Sequence, residues 1–214
     1  MSSPLEFEEL SQTCRRDSFC LDCFHAFCSH CCGSHHHRGP FHTAISVDVA
    51  GRPVFQPGDS QWMPDEVVRA IAAEDYDTPL PRDSYCTGCK KIFCAAACPH
   101  HSNGTCLAGV VLRIEEHGGA HCVRCTGFEP WFRRVEGYLG DPVGEEEDEL
   151  LLLPVLRRAP GTCAQCHAHW AGWHYEQHCS LPCINAWRQE VLMRRERREA
   201  RRAARDLANL QIHH

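Results

Sequence analysis

The chain has 214 residues and a net charge of −6, and it carries 17 Cys and 16 His against only three Met. No apolar stretch approaches the roughly 18 residues a membrane-spanning helix needs, and "MSSPLEFEEL" has neither a basic start nor an apolar run, so neither a span nor a signal peptide is predicted. In a reducing compartment such thiols read as metal ligands rather than disulfides, which predicts several small metal-centred cores in place of one large apolar core.

The first predicted unit covers residues 14–50 and centres on "FCLDCFHAFCSHC" (19–31). Two Cys separated by two residues can grip one zinc ion from a tight knuckle, but Cys20/Cys23 and Cys28/Cys31 lie too close in sequence to share one ion comfortably. Alternate pairing resolves this as a two-zinc cross-brace. One ion takes Cys20, Cys23, His35 and His42; the other takes Cys28, Cys31, Cys14 and a fourth ligand, for which Asp17 is a candidate. Asp17 equally suits a turn or capping role. "TAISVDV" then reads as a strand. Residues 62–77 follow as a linker helix, with Pro64 at its first position, Asp65 and Glu66 in its first turn, and Val67, Val68 and Ile71 on one face.

The second unit, 82–137, repeats the first. "RDSFCLDCFHAFC" (16–28) and "RDSYCTGCKKIFC" (82–94) are identical at seven of thirteen positions at an offset of 66. The cysteines account for only three of these, so Arg16/Arg82, Asp17/Asp83, Ser18/Ser84 and Phe27/Phe93 point to a duplicated module. Cys86 and Cys89 should hold one ion, with His101 and Cys106 as downstream ligands. Cys94 and Cys98, spaced by three, could take Cys122 and Cys125 as partners, and "GVVLRI" reads as a strand.

Residues 141–160 form an acidic linker and an apolar strand within "LLLLPVL". A third cluster at 161–187, Cys163-x2-Cys166-x12-Cys179-x3-Cys183, supplies four thiolates and reads as a closed structural zinc knuckle. Residues 188–212 lack Gly and Pro and predict a long helix. Residues 188–206 hold eight Arg against Glu190, Glu196, Glu199 and Asp206, a local +4 that leaves −10 on the remainder.

"FCLDC", "CSHC", the following His and the β-like segment resemble the B-box-type zinc finger of the plant PLATZ family (plant AT-rich sequence and zinc-binding proteins), and "CAQC…CSLPC" resembles that family's C-terminal cysteine pairs. The resemblance touches most of residues 14–125 and 163–187. It implies an α+β assembly of two B-box-like zinc fingers, a four-cysteine knuckle and a basic C-terminal helix. It carries a ligand role to Cys20, Cys23, Cys28, Cys31, His35, His42, Cys163, Cys166, Cys179 and Cys183. It also implies nuclear transcription regulation through A/T-rich DNA, with protein partners of the transcription machinery. The chain departs from the family where Asp17 replaces an upstream His and where the B-box-like unit is doubled.

Closed thiolate sites leave no position for metal-bound water, and no HExxH, GxSxG or phosphate-cradling loop occurs, so neither an enzyme nor a small-molecule substrate is expected. The spacings do not follow a RING's eight-ligand order. At least three Zn2+ ions are expected. Two roles stay open: DNA binding with Arg194, Arg195, Arg197, Arg198, Arg201, Arg202 and Arg205 on phosphates, or protein docking through Phe19, Phe24, Phe27, Phe41, Trp131 and Phe132.

Overall fold

The computed structural model describes residues 5–36, 43–55, 63–98, 109–144, 150–169 and 177–212. They form a mixed α+β chain in two compact units, one within residues 8–114 and one within residues 115–212 together with Leu5–Phe7.

In the first unit, the strands β1 (Thr13–Cys14), β2 (Ser18–Cys20) and β3 (His25–Phe27) lead into α1 (Ser29–His36), β4 (Ala44–Val47) and β5 (Pro53–Val54). The second copy follows α2 (Asp65–Ala72) with β6 (Leu80–Pro81), β7 (Ser84–Cys86), β8 (Lys91–Phe93) and the start of β9 (Val111–His117). The duplication holds to the single residue. Ser18 faces Phe27 and Cys20 faces His25, while Ser84 faces Phe93 and Cys86 faces Lys91, the same register displaced by 66. The third strand joins alike in both copies, with Ser18 opposite Ser46 and Ser84 opposite Arg113.

Alternation along β2 and β3 divides the two faces. Phe19 and Ala26 pack with Val47 against Val67, Ile71 and Tyr76, the apolar side of α2 and the segment after it. Cys20 and Phe27 turn the other way, into a core of cysteines shared with Phe93, Cys86, Cys94 and Cys98 from the second copy. Pro64 sits at the N-cap of α2, one residue ahead of the expected first position, and Val68 is exposed rather than on the packed face. The helix stops at Ala72, short of the predicted 77, because the Asp75 carboxylate takes the Asp77 and Thr78 amides into a turn.

The copies meet about a local approximate two-fold. β1 and β6, equivalent segments, pair antiparallel with Cys14 opposite Leu80, its own counterpart. Arg16 donates to the Ala96 carbonyl of the other copy, and Arg82 reaches back to the Cys14 sulfur. Cys32 Sγ donates to the Ala97 carbonyl at 3.4 Å and its equivalent, Cys98 Sγ, to the Cys31 carbonyl at 3.9 Å, a reciprocal pair of the kind an isologous interface makes, here within one chain.

In the second unit, the end of β9 turns through Gly118 and Gly119, both at positive φ, into β10 (Ala120–Cys125). β10 pairs with β11 (Leu151–Pro154), a fully apolar strand whose Leu151 and Leu153 are buried. A short α3 (Phe132–Val135) with the turn Glu136–Tyr138 underlies α4 (Leu181–Ile212), which starts a few residues earlier than the sequence reading placed it. Gly137 permits that packing, since a Cβ there would lie 2.5 Å from the Trp187 ring.

Candidate metal centres

The C-terminal centre is the most complete. The sulfurs of Cys163, Cys166, Cys179 and Cys183 lie within 4.8 Å of one another. Cys166 and Cys179 approach to 3.6 Å, and Cys179 and Cys183 also to 3.6 Å. With metal–sulfur bonds near 2.3 Å, edges of a tetrahedral four-sulfur site are about 3.8 Å, so the two 3.6 Å edges match that geometry and the set is compatible with a metal ion. Cys183 lies in the first turn of α4, where Ser180 Oγ accepts its amide, and Cys179 sits just ahead of that turn. Burial raises the Cys163 thiol, but amides including those of Cys166 and Cys179 outweigh it and hold it down to about 6. The Cys179 amide lies 3.4 Å from that sulfur. The loop is clamped by Arg158, which donates to the carbonyls of Thr162 at 3.0 Å and Gln177 at 2.8 Å while pairing with buried Glu6 at 2.8 Å.

A second centre joins Cys14, His30 and Cys31. Cys14 and Cys31 sulfurs lie 3.4 Å apart, and His30 Nδ1 lies 3.7 Å from one and 3.8 Å from the other. Hydrogen bonds from Cys28 and Cys31, assisted by Arg82 against the cost of burial, pull the Cys14 thiol down to about 2. Cys31, donor to Cys14 in the same cluster, is pushed the other way. The cluster thus offers two sulfurs and one nitrogen, with Cys28 buried in the same cysteine core. The sequence reading left the fourth ligand open with Asp17 as candidate; in the structure His30, not Asp17, lies beside the Cys14 and Cys31 sulfurs. Asp17 is occupied as a cap: its carboxylate accepts from the Ser29 amide at 2.7 Å and the Ser29 hydroxyl at 2.6 Å. Asp83 repeats the role on the Ala95 amide at 2.9 Å.

The knuckles Cys20/Cys23 and Cys86/Cys89 share one backbone turn. The residue after the second cysteine takes a left-handed conformation in both, Phe24 at φ 51° and Lys90 at φ 55°, and His167 does so after Cys166 at φ 57°. Non-glycine residues seldom adopt this region, so its recurrence marks one purpose-built turn used three times. In the first knuckle the Cys23 amide points at the Cys20 sulfur at 3.4 Å. The expected partners His42, His101 and Cys106 lie outside the described residues, and of His35 only the backbone, within α1, is described.

Cys122 and Cys125, expected as a knuckle pair for Cys94 and Cys98, lie instead on the strand β10, where an odd spacing sends their thiols to opposite faces. Cys94 and Cys98 instead enter the first unit's cysteine core beside Cys32, a residue the spacing rules passed over.

The arginines expected on phosphate are largely engaged. Arg194 and Arg198 are only 4% and 3% exposed, and such side chains cannot reach a nucleic-acid backbone. Arg195 pairs with buried Glu136, Arg197 pairs with Asp141, Arg201 donates to the Pro142 carbonyl, and Arg202 stacks over Phe128 at 4.2 Å. Arg205 lies 3.9 Å from Asp206. Among the aromatics proposed for docking, Phe19, Phe27 and Phe132 are core residues, Phe24 is exposed, and Phe41 lies outside the described residues.

The fold and its centres thus define a small cysteine-rich α+β protein with side-chain clusters suited to metal. Compared with family models, curated proteins and solved structures, the chain matches none of them.

Proposed function

We propose that this chain is a PLATZ-like zinc protein of the nucleus, in which metal ions staple two B-box-type modules and a C-terminal knuckle. Its role on this reading is transcription regulation by protein docking, without catalysis. The observation that carries it is the four-thiol C-terminal centre at tetrahedral spacing, which is complete without water or substrate.

Docking is preferred to direct DNA contact because the arginine helix spends its charge within its own unit. Two guanidinium groups are buried and two are committed to Glu136 and Asp141. The rest of the chain, at −10, repels phosphate. Binding to A/T-rich DNA is the second reading, supported by the resemblance and by the exposed Arg188 and Arg201.

Metal quantification of the purified protein should give at least three zinc ions. A gel shift on A/T-rich duplex at low salt should show no retarded band. A retarded, A/T-selective band whose affinity falls by about 0.9 log units per phosphate contact for each tenfold rise in salt would move the function to DNA.

A further inference from the structure

Part of the arginine stripe on α4 builds a small basic pocket. Arg195, Arg198 and Arg202 follow one another at intervals of three and four, which places them on one side of the helix. With α3 and the turn after β10 they enclose a pocket of about 70 Å³. Its ionisable lining is Arg133, Arg195, Arg198 and Arg202 against Glu136 and Glu199, four positive charges to two negative. Glu136 is already paired with Arg195.

The rim is held in place by the chain around it. Glu129 accepts the amides of Thr126 at 2.6 Å and Gly127 at 2.8 Å, which closes the turn that carries Phe128. Phe128 is 79% exposed, and the Arg202 guanidinium lies over its ring at 4.2 Å. Gly127, at φ 77°, makes room for that stack, since a Cβ there would lie 2.8 Å from Arg202 Nη2. Arg198 belongs to the inner wall. It is 3% exposed, its terminal nitrogens make no hydrogen bond among the described residues, and Glu136 Oε2 stands 3.8 Å away. A buried guanidinium without acceptors is costly, and an anion in the pocket would offset that cost through its charge.

We propose that this pocket binds the phosphate of a phosphorylated serine or threonine on a docking partner, with Phe128 beside it to receive an apolar side chain of the same segment. The proposal rests on the docking reading and names its partner chemistry. Arg133, Arg195 and Arg202, all open to solvent, donate to the phosphate oxygens. Arg198 adds charge from behind, where little water screens it. A phosphomonoester carries about −1.5 to −2 at neutral pH, which matches the excess of positive charge better than a single carboxylate does. Size argues against nucleic acid. At about 10–15 Å³ per water the pocket holds about five waters, room for one terminal anionic group. A phosphodiester, hindered by a sugar on either side, cannot seat as deeply.

The test uses the full-length protein and a fluorescent peptide pool with a central phosphoserine flanked by random residues. Anisotropy should show the phosphorylated pool bound at least tenfold more tightly than the same pool unphosphorylated, and at least tenfold more tightly than inorganic phosphate, which competes for the site. Arg133→Gln/Arg202→Gln should lose the preference while unfolding in urea stays as in wild type, because neither arginine belongs to an ion pair among the described residues. Equal binding of the two pools, binding of inorganic phosphate alone, or a preference that survives the double variant overturns the proposal. If the peptides fail and A/T-rich duplex still gives no retarded band, this inference alone fails. If the peptides fail and the duplex is retarded, the docking reading fails with it.

Discussion

Arg158 shows how much one side chain contributes to a metal centre it never touches. Its guanidinium is 6% exposed, pairs with an equally buried Glu6, lies over the Phe7 ring at 4.5 Å, and holds the carbonyls of Thr162 and Gln177 on either side of the cysteine loop. Removing one member of a buried ion pair leaves the other charge unpaired, which costs about 3–5 kcal/mol. Arg158→Met should therefore lower the unfolding free energy measured in urea by that margin and weaken metal retention at Cys163 under a chelator. Adding Glu6→Leu removes the stranded carboxylate and should recover part of the stability but not the metal retention, because the carbonyls of Thr162 and Gln177 still lack their donor. Full recovery of both would show that the loop does not depend on Arg158.

At the scale of the element, the knuckle turns carry the most information. Lys90 and Phe24 hold left-handed backbone at about 1–2 kcal/mol for an ordinary residue. The second knuckle is also closed by Gly109, where an added Cβ would lie 2.5 Å from Cys86 Sγ and 2.8 Å from the Gly88 amide nitrogen. Opposite effects follow from two substitutions in one turn. Lys90→Gly should be neutral or stabilising by up to about 1 kcal/mol, while Gly109→Ala should cost about 1–3 kcal/mol and loosen metal at Cys86. Equal effects in thermal unfolding would refute the steric account. These turns also show what could be read beforehand. The x2 pairs, the four-cysteine cluster, the duplication and the final helix are local patterns, and local patterns survive in sequence. Which pairs share an ion is decided by chain crossings at long separation, and spacing alone does not report them. His30 was hidden between two cysteines already paired by the x2 rule, and Cys32 was hidden behind Cys31. The repeat did hold the signal: an offset of 66 aligns Cys98 with Cys32, which makes x3 the shared spacing of both copies. The mistaken pairing of Cys122 with Cys125 came from applying the knuckle rule to a segment whose period is that of a strand.

For the whole molecule, the long helix has a different meaning once its partners are known. In the second unit, Val191, Arg194 and Arg198 are buried, Arg194 donates to the Leu139 carbonyl at 3.2 Å, and Arg195 and Arg198 flank Glu136, itself only 6% exposed. Deleting residues 188–214 would remove the Arg195 and Arg198 partners of Glu136 together with the helix face that covers it. It would also uncover Phe132, whose ring lies 5.5 Å from the Arg198 guanidinium. The truncated protein should unfold at markedly lower urea, with loss of near-UV signal from Trp187 and Trp131, and so lose any binding activity through instability rather than through missing contacts. Arg188 and Arg201, exposed on the same helix, separate the two causes. Arg188→Gln/Arg201→Gln should change the unfolding free energy by no more than about 1 kcal/mol, since Arg201 gives up only its bond to the Pro142 carbonyl. If the helix does meet phosphate, this variant would reduce the salt slope of DNA binding while the fold stays intact. A truncation that unfolds like the full chain would show instead that the helix is an appendage and its arginines free for a partner.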